Sequence, residues 1–475
     1  DRVPVQIQYR VNNKGPVWET AYHEFAVLSE SSSKKIIYMM QRCFKIYCQS
    51  CKYLIMKNYI IKPIALFYIA VILFSQQSCV KDTCTKTYTY TWFEPLYKTA
   101  EEVRANIKSN AARVVVNPGK IYIKGSYIFL NEVNKGIHII DNSNPAVPKN
   151  IAFIDLPGNV DIAVRNNMLY ADFYTDLVAI DISAPLNVVV KKFVNNVFPE
   201  RFYYGFPVDS NMIIYDWVKK TETIDIGCNN QNPVNWGGVL FNSADAGMIK
   251  SGAGASPVGI SGSLARFALI SNYMYTISNA ALRVIDVAVA ESPAVVNTVN
   301  LGWGIETIFP FKDKLFIGSN TGMFIYSVQN PVSPAMQGTF NHVRTCDPVI
   351  ADDNYAYVTL HSGTRCSGFT NQLDVLDISN IQNPQLIKTY LLTNPRGLSK
   401  DGNLLFICDG NDGLKVFNAA DPNSISLMKQ FAMPEASDVI AFNDIALVIA
   451  KDGLYQYDYS NPADIKLISK IAVQN

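Results

Sequence analysis

The sequence has few of the residues from which metal and nucleophile sites are built. It contains 4 histidines in 475 residues, whereas a zinc site or a Ser-His-Asp triad needs several convergent groups. It also lacks an excess of one charge, since 41 Lys and Arg oppose 40 Asp and Glu. We therefore expect no nucleic-acid partner. The glycine-rich stretch 251–263, "SGAGASPVGISGS", has no P-loop lysine, so no cofactor is predicted.

Long apolar runs are scarce as well. The run at 64–74 has 11 residues, which at about 1.5 Å each do not span a bilayer core of about 30 Å. Lys57 and Lys62 precede it, and "SQQSC", ending at Cys79, follows it. This is the order of regions in a signal peptide. The sequence therefore predicts a signal peptide over 56–78 that is cleaved before Cys79.

The cleavage region resembles the lipoprotein signals of Bacteroidetes-type bacteria, with "SC" followed by "VKD" and with Gln76 and Gln77 as departures. The resemblance implies that Cys79 becomes an acylated first residue. It also implies an outer-membrane lipoprotein of the cell envelope, facing either the periplasm or the exterior. Residues 1–55 show no sustained period, so we expect translation from Met56 and upstream read-through before it.

The chain beyond Cys79 is a repeat array. An apolar strand that ends on a polar residue, usually followed by proline, recurs as in "GIHIIDNSNP", "LVAIDISAP" and "LYQYDYSNP". The end residues are Asp141, Asp181, Asp225, Asp286, Ser327, Asp377, Asn418 and Asp458. Each carboxylate at a strand end can accept backbone N–H groups in an Asx turn.

Each unit of about 40 residues reads as four short strands. Such units cannot bury both faces alone, and radial repetition stacks them while protecting their edges. The sequence therefore predicts an all-β fold, a β-propeller of four-stranded blades over 118–475. Eight blades are favoured, and seven is the alternative if the irregular unit at 199–262 is an insertion.

The repeated core, in "VAIDISAP", "RVIDVA" and "DVLDISNIQNP", resembles the LVIVD repeat family of bacterial and archaeal β-propellers. The resemblance implies an extracytoplasmic propeller and no established reaction. Residues 79–117 are predicted to form a tether with a short helix. Thr99 and Glu102 form a capping box that opens this helix, which should continue to about Asn110. Val103 and Ile107 are spaced to pack on the propeller.

The candidate sites lie in loops. Cys346 and Cys366 fall in one unit together with His342 and His361, and outside the cytoplasm a disulfide between the two cysteines is favoured over zinc. Five cysteines remain beside Cys79 in the mature chain, so a monomer keeps an unpaired thiol. "DGNDG" at 409–413 lacks the twelfth-position Glu of a calcium loop and is interpreted as a turn. No metal site is predicted.

A second candidate site comprises the residues at the starts of the innermost strands. We predict a ligand rim at the channel mouth, with Trp303 as an apolar platform beside Asp161, Glu306, Asp347, Arg396 and Asp438. The alternative is that these side chains only satisfy backbone N–H groups at strand starts.

The function hypothesis is a lipid-anchored, monomeric, non-enzymatic binding or scaffold module for a protein or polysaccharide. The alternative is a propeller-based polysaccharide hydrolase or lyase, which would need paired carboxylates in an aromatic cleft.

Overall fold

A computed structural model describes residues 85–199, 202–203, 206–207, 212–227, 260–342, 348–362 and 370–474. Before the repeats the chain forms β1 (Thr85–Thr99), the helix α1 (Ala100–Ala105) and β2 (Ser109–Asn110). Thr99 accepts the amide of Glu102, and the Glu102 carboxylate accepts the amide of Thr99. The predicted capping box is therefore confirmed. The helix ends earlier than predicted because Ser109 and Asn110 pair with a propeller strand.

Two four-stranded blades follow. Blade 1 contains β3 (Pro118–Lys124), β4 (Tyr127–Glu132), β5 (Gly136–Asp141) and β6 (Lys149–Asp155). Blade 2 contains β7 (Ile162–Arg165), β8 (Met168–Phe173), β9 (Asp176–Asp181) and β10 (Val189–Val194). Four strands then stand outside the blade pattern, namely β11 (Phe202–Tyr203), β12 (Phe206–Pro207), β13 (Met212–Gly227) and β14 (Ile260–Ser261).

Five more blades complete the fold. Blade 3 contains β15 (Phe267–Ile270), β16 (Tyr273–Ile277), β17 (Ala281–Asp286) and β18 (Ala294–Asn300). Blade 4 contains β19 (Ile305–Phe311), β20 (Lys314–Ser319), β21 (Gly322–Ser327) and β22 (Ala335–Asn341). Blade 5 contains β23 (Val349–Ala351), β24 (Tyr355–Leu360), β25 (Gln372–Asp377) and β26 (Gln385–Leu391). Blade 6 contains β27 (Leu398–Asp401), β28 (Leu404–Cys408), β29 (Leu414–Asn418) and β30 (Ser426–Phe431). Blade 7 contains β31 (Asp438–Phe442), β32 (Ile445–Ala450), β33 (Gly453–Asp458) and β34 (Lys466–Ala472).

The protein is thus a seven-bladed all-β propeller, and the preference for eight blades was wrong. Among the described residues of the irregular unit, β11 pairs only with β12, β13 pairs with β1, and β14 adds to β3. The described part of this unit therefore contributes no four-stranded sheet. From blade 1 to blade 7 the first strand of each blade contacts the first strand of the next, and β3 of blade 1 contacts β32 of blade 7. The first strands therefore surround the central axis.

The ring closes by packing the last blade against the first. A core cluster joins Ile121 and Ile128 of blade 1 to Leu447 and Ile449 of blade 7. Gln456 of β33 exchanges hydrogen bonds with Asn142, at 2.8 and 3.0 Å. All four strands of blade 7 come from one continuous segment. The ring therefore closes without an exchanged strand.

The polar residues at strand ends form the predicted Asx turns. In each blade the side chain that ends the third strand accepts the backbone amide two residues later, as with Asp141 and Ser143 at 2.9 Å. The same bond forms at Asp181, Asp286, Ser327, Asp377, Asn418 and Asp458. The amide of Ser143 lowers the pKa of Asp141. The carboxylate thus stabilises the turn between the third and fourth strands.

Candidate functional site

Each blade starts its innermost strand on the same face of the propeller. The strands are antiparallel, so this face also carries the loops between the second and third strands, and we call it the entry face. Asp172 donates its amide to the carbonyl of Asp161, and Ile277 donates likewise to Arg266. These bonds and the strand registers place Lys120, Asp161, Arg266 and Asp438 at equivalent positions of blades 1, 2, 3 and 7.

These four residues form what we call the channel belt. Around the axis their charges alternate, as Asp438, Lys120, Asp161 and Arg266. Lys120 forms a buried ion pair with Asp161. Its ammonium thereby compensates one of the acids predicted for the rim. Sequence analysis missed Lys120 and Arg266, although both stand just before an apolar strand, in "KIYI" and "RFAL".

Asp161 and Asp438 do not face solvent, because they are only 1% and 3% exposed. Asp161 accepts the amide of Ile162 at 2.8 Å, and Asp438 accepts the amide of Val439 at 3.0 Å. Their bonds match the alternative interpretation of strand-start residues that satisfy backbone N–H groups. These two side chains therefore do not form an open rim at the channel mouth.

The backbone of the segment 260–266 donates hydrogen bonds to the two acids of the channel belt. Asp161 also accepts the amide of Arg266 at 2.6 Å, and Asp438 accepts the amide of Ser263 at 3.2 Å. The hydroxyl of Ser263 in turn accepts the amide of Leu398 at 2.6 Å. A Cβ on Gly262 would lie 2.2 Å from a carboxylate oxygen of Asp438. Only glycine allows the backbone to approach this carboxylate so closely.

Burial is the largest cause of the pKa shifts of Asp438 and Lys120 in the channel belt. It raises the pKa of Asp438 to about 7, although the amides of Val439 and Ser263 and the charge of Lys120 act in the opposite direction. Burial likewise lowers the pKa of Lys120, and the charge of Asp161 partly offsets this effect. Both shifts follow from the cost of holding a charge away from water.

Trp303 lies differently from the other predicted rim residues. It is 81% exposed, on the entry-face loop between blades 3 and 4. Gly302 and Gly304 flank it with φ values of +91° and +81°, a backbone region that favours glycine. Gly302 donates to the Asn300 side chain at 3.0 Å, and the carbonyl of Gly304 accepts the Asn320 amide at 2.8 Å. The loop is therefore fixed at both sides of the exposed indole.

The remaining rim residues are spread over the entry face. Glu306 and Arg396 are half-buried, one residue ahead of the belt position in blades 4 and 6. Asp347, Cys346 and Cys366 lie outside the described residues, so the rim role of Asp347 and the disulfide stay predictions. Leu391, 84% exposed, precedes the loop between blades 5 and 6. It is a second exposed apolar side chain on the entry face.

"DGNDG" forms a turn, as interpreted from the sequence. Asp409 is fully buried and accepts the amides of Thr393 and Asn394 at 3.1 and 2.6 Å. The ammonium of Lys415 lies 2.5 Å from Asp409 and 2.7 Å from Asp412. Burial acts to lower the pKa of Lys415, but these two carboxylates raise it overall. Lys415 thus supplies the positive charge between these two acids.

His138 belongs to a buried structural network. Its Nε2 lies 2.8 Å from Glu132, and its Nδ1 lies 3.1 Å from the Asn150 side chain. Glu132 also accepts the amides of Val116 and Asn117. Burial acts to raise the pKa of Glu132, but these hydrogen bonds lower it overall. Within the part of the chain that the structure describes, no group of three or more His, Cys, Asp or Glu could hold a metal ion.

Comparison with known proteins shows LVIVD repeats in this chain. The LVIVD repeat model matches residues 118–152, 158–196 and 344–392. The first two matches fall on blades 1 and 2, and the third on the blade that contains β23 to β26. The resemblance noted in the sequence is therefore confirmed for these repeats. No curated protein matches the chain.

Solved structures offer distant likenesses. The chain is 8% identical to Saccharomyces cerevisiae Sqt1, with 78% of this chain and 89% of that chain covered and a TM-score of 0.46. It is 8% identical to BamB from Moraxella catarrhalis, covering 71% and 82% with a TM-score of 0.42. A protein from Lactobacillus plantarum is 13% identical, covering 65% and 83% with a TM-score of 0.44. No conclusion about this chain rests on them. None of the helices among the described residues is long and apolar enough to cross a membrane.

Proposed function

We propose that the protein is a lipid-anchored, extracytoplasmic binding or scaffold module that holds its ligand on the entry face. The observation that carries this proposal is the fixed, exposed Trp303. A large apolar side chain that is 81% exposed on a loop ordered by hydrogen bonds gains contact area on binding at little cost in ordering. Aromatic side chains of this kind are enriched in the centres of interfaces.

The channel belt supports the choice of the loops over the channel. Asp161 and Asp438 already bind backbone amides of the segment 260–266. Their carboxyl groups are therefore engaged within the chain. Trp303 and Leu391, in contrast, lie on entry-face connections with most of their surface in contact with solvent. A protein or polysaccharide would contact these loops first.

The experiment is a binding screen with the purified full chain on protein and polysaccharide arrays, followed by titration of each hit. We expect Trp303→Ala to weaken binding at least tenfold, since a central aromatic contact contributes about 2 kcal/mol or more. Val289→Ala is the matched control, because Val289 is an exposed apolar side chain on the opposite face. Equal losses in both variants would contradict the proposal, and glycan cleavage during the titration would replace it with the enzyme alternative.

A further inference from the structure

The exposed indole of Trp303 stands among three entry-face loops without a charged residue. They are the turn between β16 and β17, the connection between β18 and β19, and the turn between β20 and β21. Residues 278–281, 300–304 and 319–322 contain no Asp, Glu, Lys or Arg, although such residues make up 17% of the chain. We call these three loops the indole site. The loops themselves therefore supply no ionic group to a ligand.

Hydrogen bonds hold the three loops of the indole site together. On the side of blade 3, the amide of Leu301 donates to the carbonyl of Ala280 at 2.8 Å. On the side of blade 4, the amide of Asn320 donates to the carbonyl of Gly304 at 2.8 Å. A Cβ on Gly304 would lie 2.2 Å from the side-chain oxygen of Asn320. The Asn320 amide group therefore lies directly against the backbone next to Trp303.

Three asparagines flank the indole. Asn279 and Asn300 are exposed, and Asn320 is half-buried. The side-chain oxygen of Asn300 accepts the amide of Gly302, a bond that does not use its two side-chain N–H groups. Among the described residues, the side-chain amides of Asn279 and Asn320 form no hydrogen bond. Each such amide offers both donors and an acceptor to a ligand.

This combination of groups matches the chemistry of a neutral sugar. One face of a sugar ring carries polarised C–H groups, which the negative face of an indole ring attracts. Hydroxyl groups at the ring edge both donate and accept hydrogen bonds, as side-chain amides do. A protein interface instead surrounds its central aromatic residue with further apolar contacts. Trp303 is the one exposed large apolar side chain in the three loops, all of which the structure describes.

We infer that the indole site binds a neutral polysaccharide, with a sugar ring stacked on Trp303 and its hydroxyl groups hydrogen-bonded by Asn279, Asn300 and Asn320. This inference rests on the proposed function, in which the ligand is a protein or a polysaccharide. It narrows that choice to one class. Because the loops carry no charge, binding should depend little on ionic strength.

The first test compares neutral and anionic polysaccharides by calorimetric titration. The purified full chain carries Cys79→Ser, so that no acyl group contributes. The neutral probes are laminarin, mannan, xyloglucan and dextran, and the anionic probe is polygalacturonate. We expect at least one neutral probe to bind, with an affinity that changes less than about twofold between about 50 and about 500 mM NaCl. Binding of polygalacturonate alone, binding that salt abolishes, or no binding of any neutral probe would overturn the inference.

The second test examines stacking. Trp303→Leu should weaken binding of the neutral probe at least tenfold, because leucine is apolar but has no flat π face. Trp303→Phe keeps such a face and should retain more of the affinity. Thermal unfolding of both variants shows whether the fold is intact. Equal losses in the two variants would contradict stacking of a sugar ring on residue 303.

The third test examines the amide groups. Asn320→Asp replaces the N–H donors with a charged acceptor and should weaken binding about tenfold. Asn403→Asp is the matched control, because Asn403 is exposed on the turn between β27 and β28, on the opposite face. The control should leave binding unchanged. Equal affinities of the two variants would show that Asn320 does not bind the ligand.

These outcomes also separate the inference from the proposed function. A protein ligand that loses affinity in Trp303→Ala, while no neutral polysaccharide binds, would overturn the inference and leave the proposed function in place. If no ligand of either class depends on Trp303, both are wrong.

Discussion

At the scale of single residues, Asp438 determines how the channel belt responds to pH. Its pKa in the folded chain is about 7, whereas an aspartate in an unfolded chain ionises near pH 3.9. Between these values the folded chain holds a proton that the unfolded chain has released. The free energy of unfolding therefore falls as pH rises through this window, and the loss is complete above it.

We predict that Asp438→Asn removes this loss. The amide oxygen can still accept the backbone amides of Ser263 and Val439, and no buried charge forms at high pH. Relative to the wild type, the variant should gain at least about 1 kcal/mol of stability between about pH 5 and pH 8. The measurement is thermal unfolding at both pH values, with Asp458→Asn as the control, because the hydrogen bonds of Ser460 lower the pKa of Asp458 and keep it ionised across this range. A pH-independent difference would mean that Asp438 does not titrate in this range.

The Asx turns and the channel belt differ in how far the sequence predicts them. The Asx turns could be predicted because an Asp bonds an amide two positions away, which is a local interaction. The channel belt could not be predicted in the same way. Lys120 is compensated by Asp161 only because the starts of two innermost strands, 41 positions apart, meet at the axis. From the sequence alone, an acidic residue at a strand start is therefore predicted to be exposed, because its neighbours in space are not known.

At the scale of elements, the segment from α1 to β2 straps the outside of blades 1 and 2. Val103 and Ile107 belong to the same core cluster as Val178 and Ile180 of blade 2. Arg104 pairs with Asp176 in that blade. The structural interpretation of the apolar pair is confirmed. The sequence placed the end of the helix too late. Ser109 and Asn110 pair with β6, and this tertiary interaction cannot be predicted from a local pattern.

We predict that Val103→Ala destabilises the protein by about 2 kcal/mol, from the lost methyl burial and the cavity that remains. Val103 is 4% exposed, so the removed methyl groups leave a buried cavity that solvent does not fill. Lys108→Ala, an exposed change in the same segment, should change stability by less than about 0.5 kcal/mol. Chemical denaturation of both variants provides the measurement. Equal stabilities would show that the strap does not support the propeller.

The hydrogen bonds between Gln456 and Asn142 belong to the seam between blades 7 and 1. Gln456 is only 1% exposed, and Gln456→Ala removes both hydrogen bonds that it makes with the half-buried Asn142 side chain. We predict a loss of about 1 to 3 kcal/mol in the free energy of unfolding. Gln430→Ala, an exposed glutamine on β30, should be nearly neutral in the same denaturation series. If both changes cost the same, the seam does not depend on this pair.

At the scale of the whole molecule, the periodic signal predicted the architecture and misjudged the number of blades. The motif ending at Asp225 looks like a blade strand because β13 shares the apolar alternation of the others. It became one half of a two-stranded sheet with β1, a segment more than 100 residues earlier. Local pattern identifies a strand but does not identify its partner. The distinction needs the pairing itself, which is a non-local property.

The proposed anchor is also a property of the whole molecule. We predict that expression from Met56 in a bacterial host gives a membrane-associated protein whose first residue is Cys79, because the preceding segment has the regions of a signal peptide. Cys79→Ser should release the protein from membranes or leave the precursor uncleaved, while Cys84→Ser, five residues later, should change neither. Fractionation with mass spectrometry of the N-terminal peptide gives the readout. Peptides from residues 1–55 in native material would contradict the start at Met56, and a Cys79→Ser chain that stays processed and membrane-bound would contradict the lipid anchor.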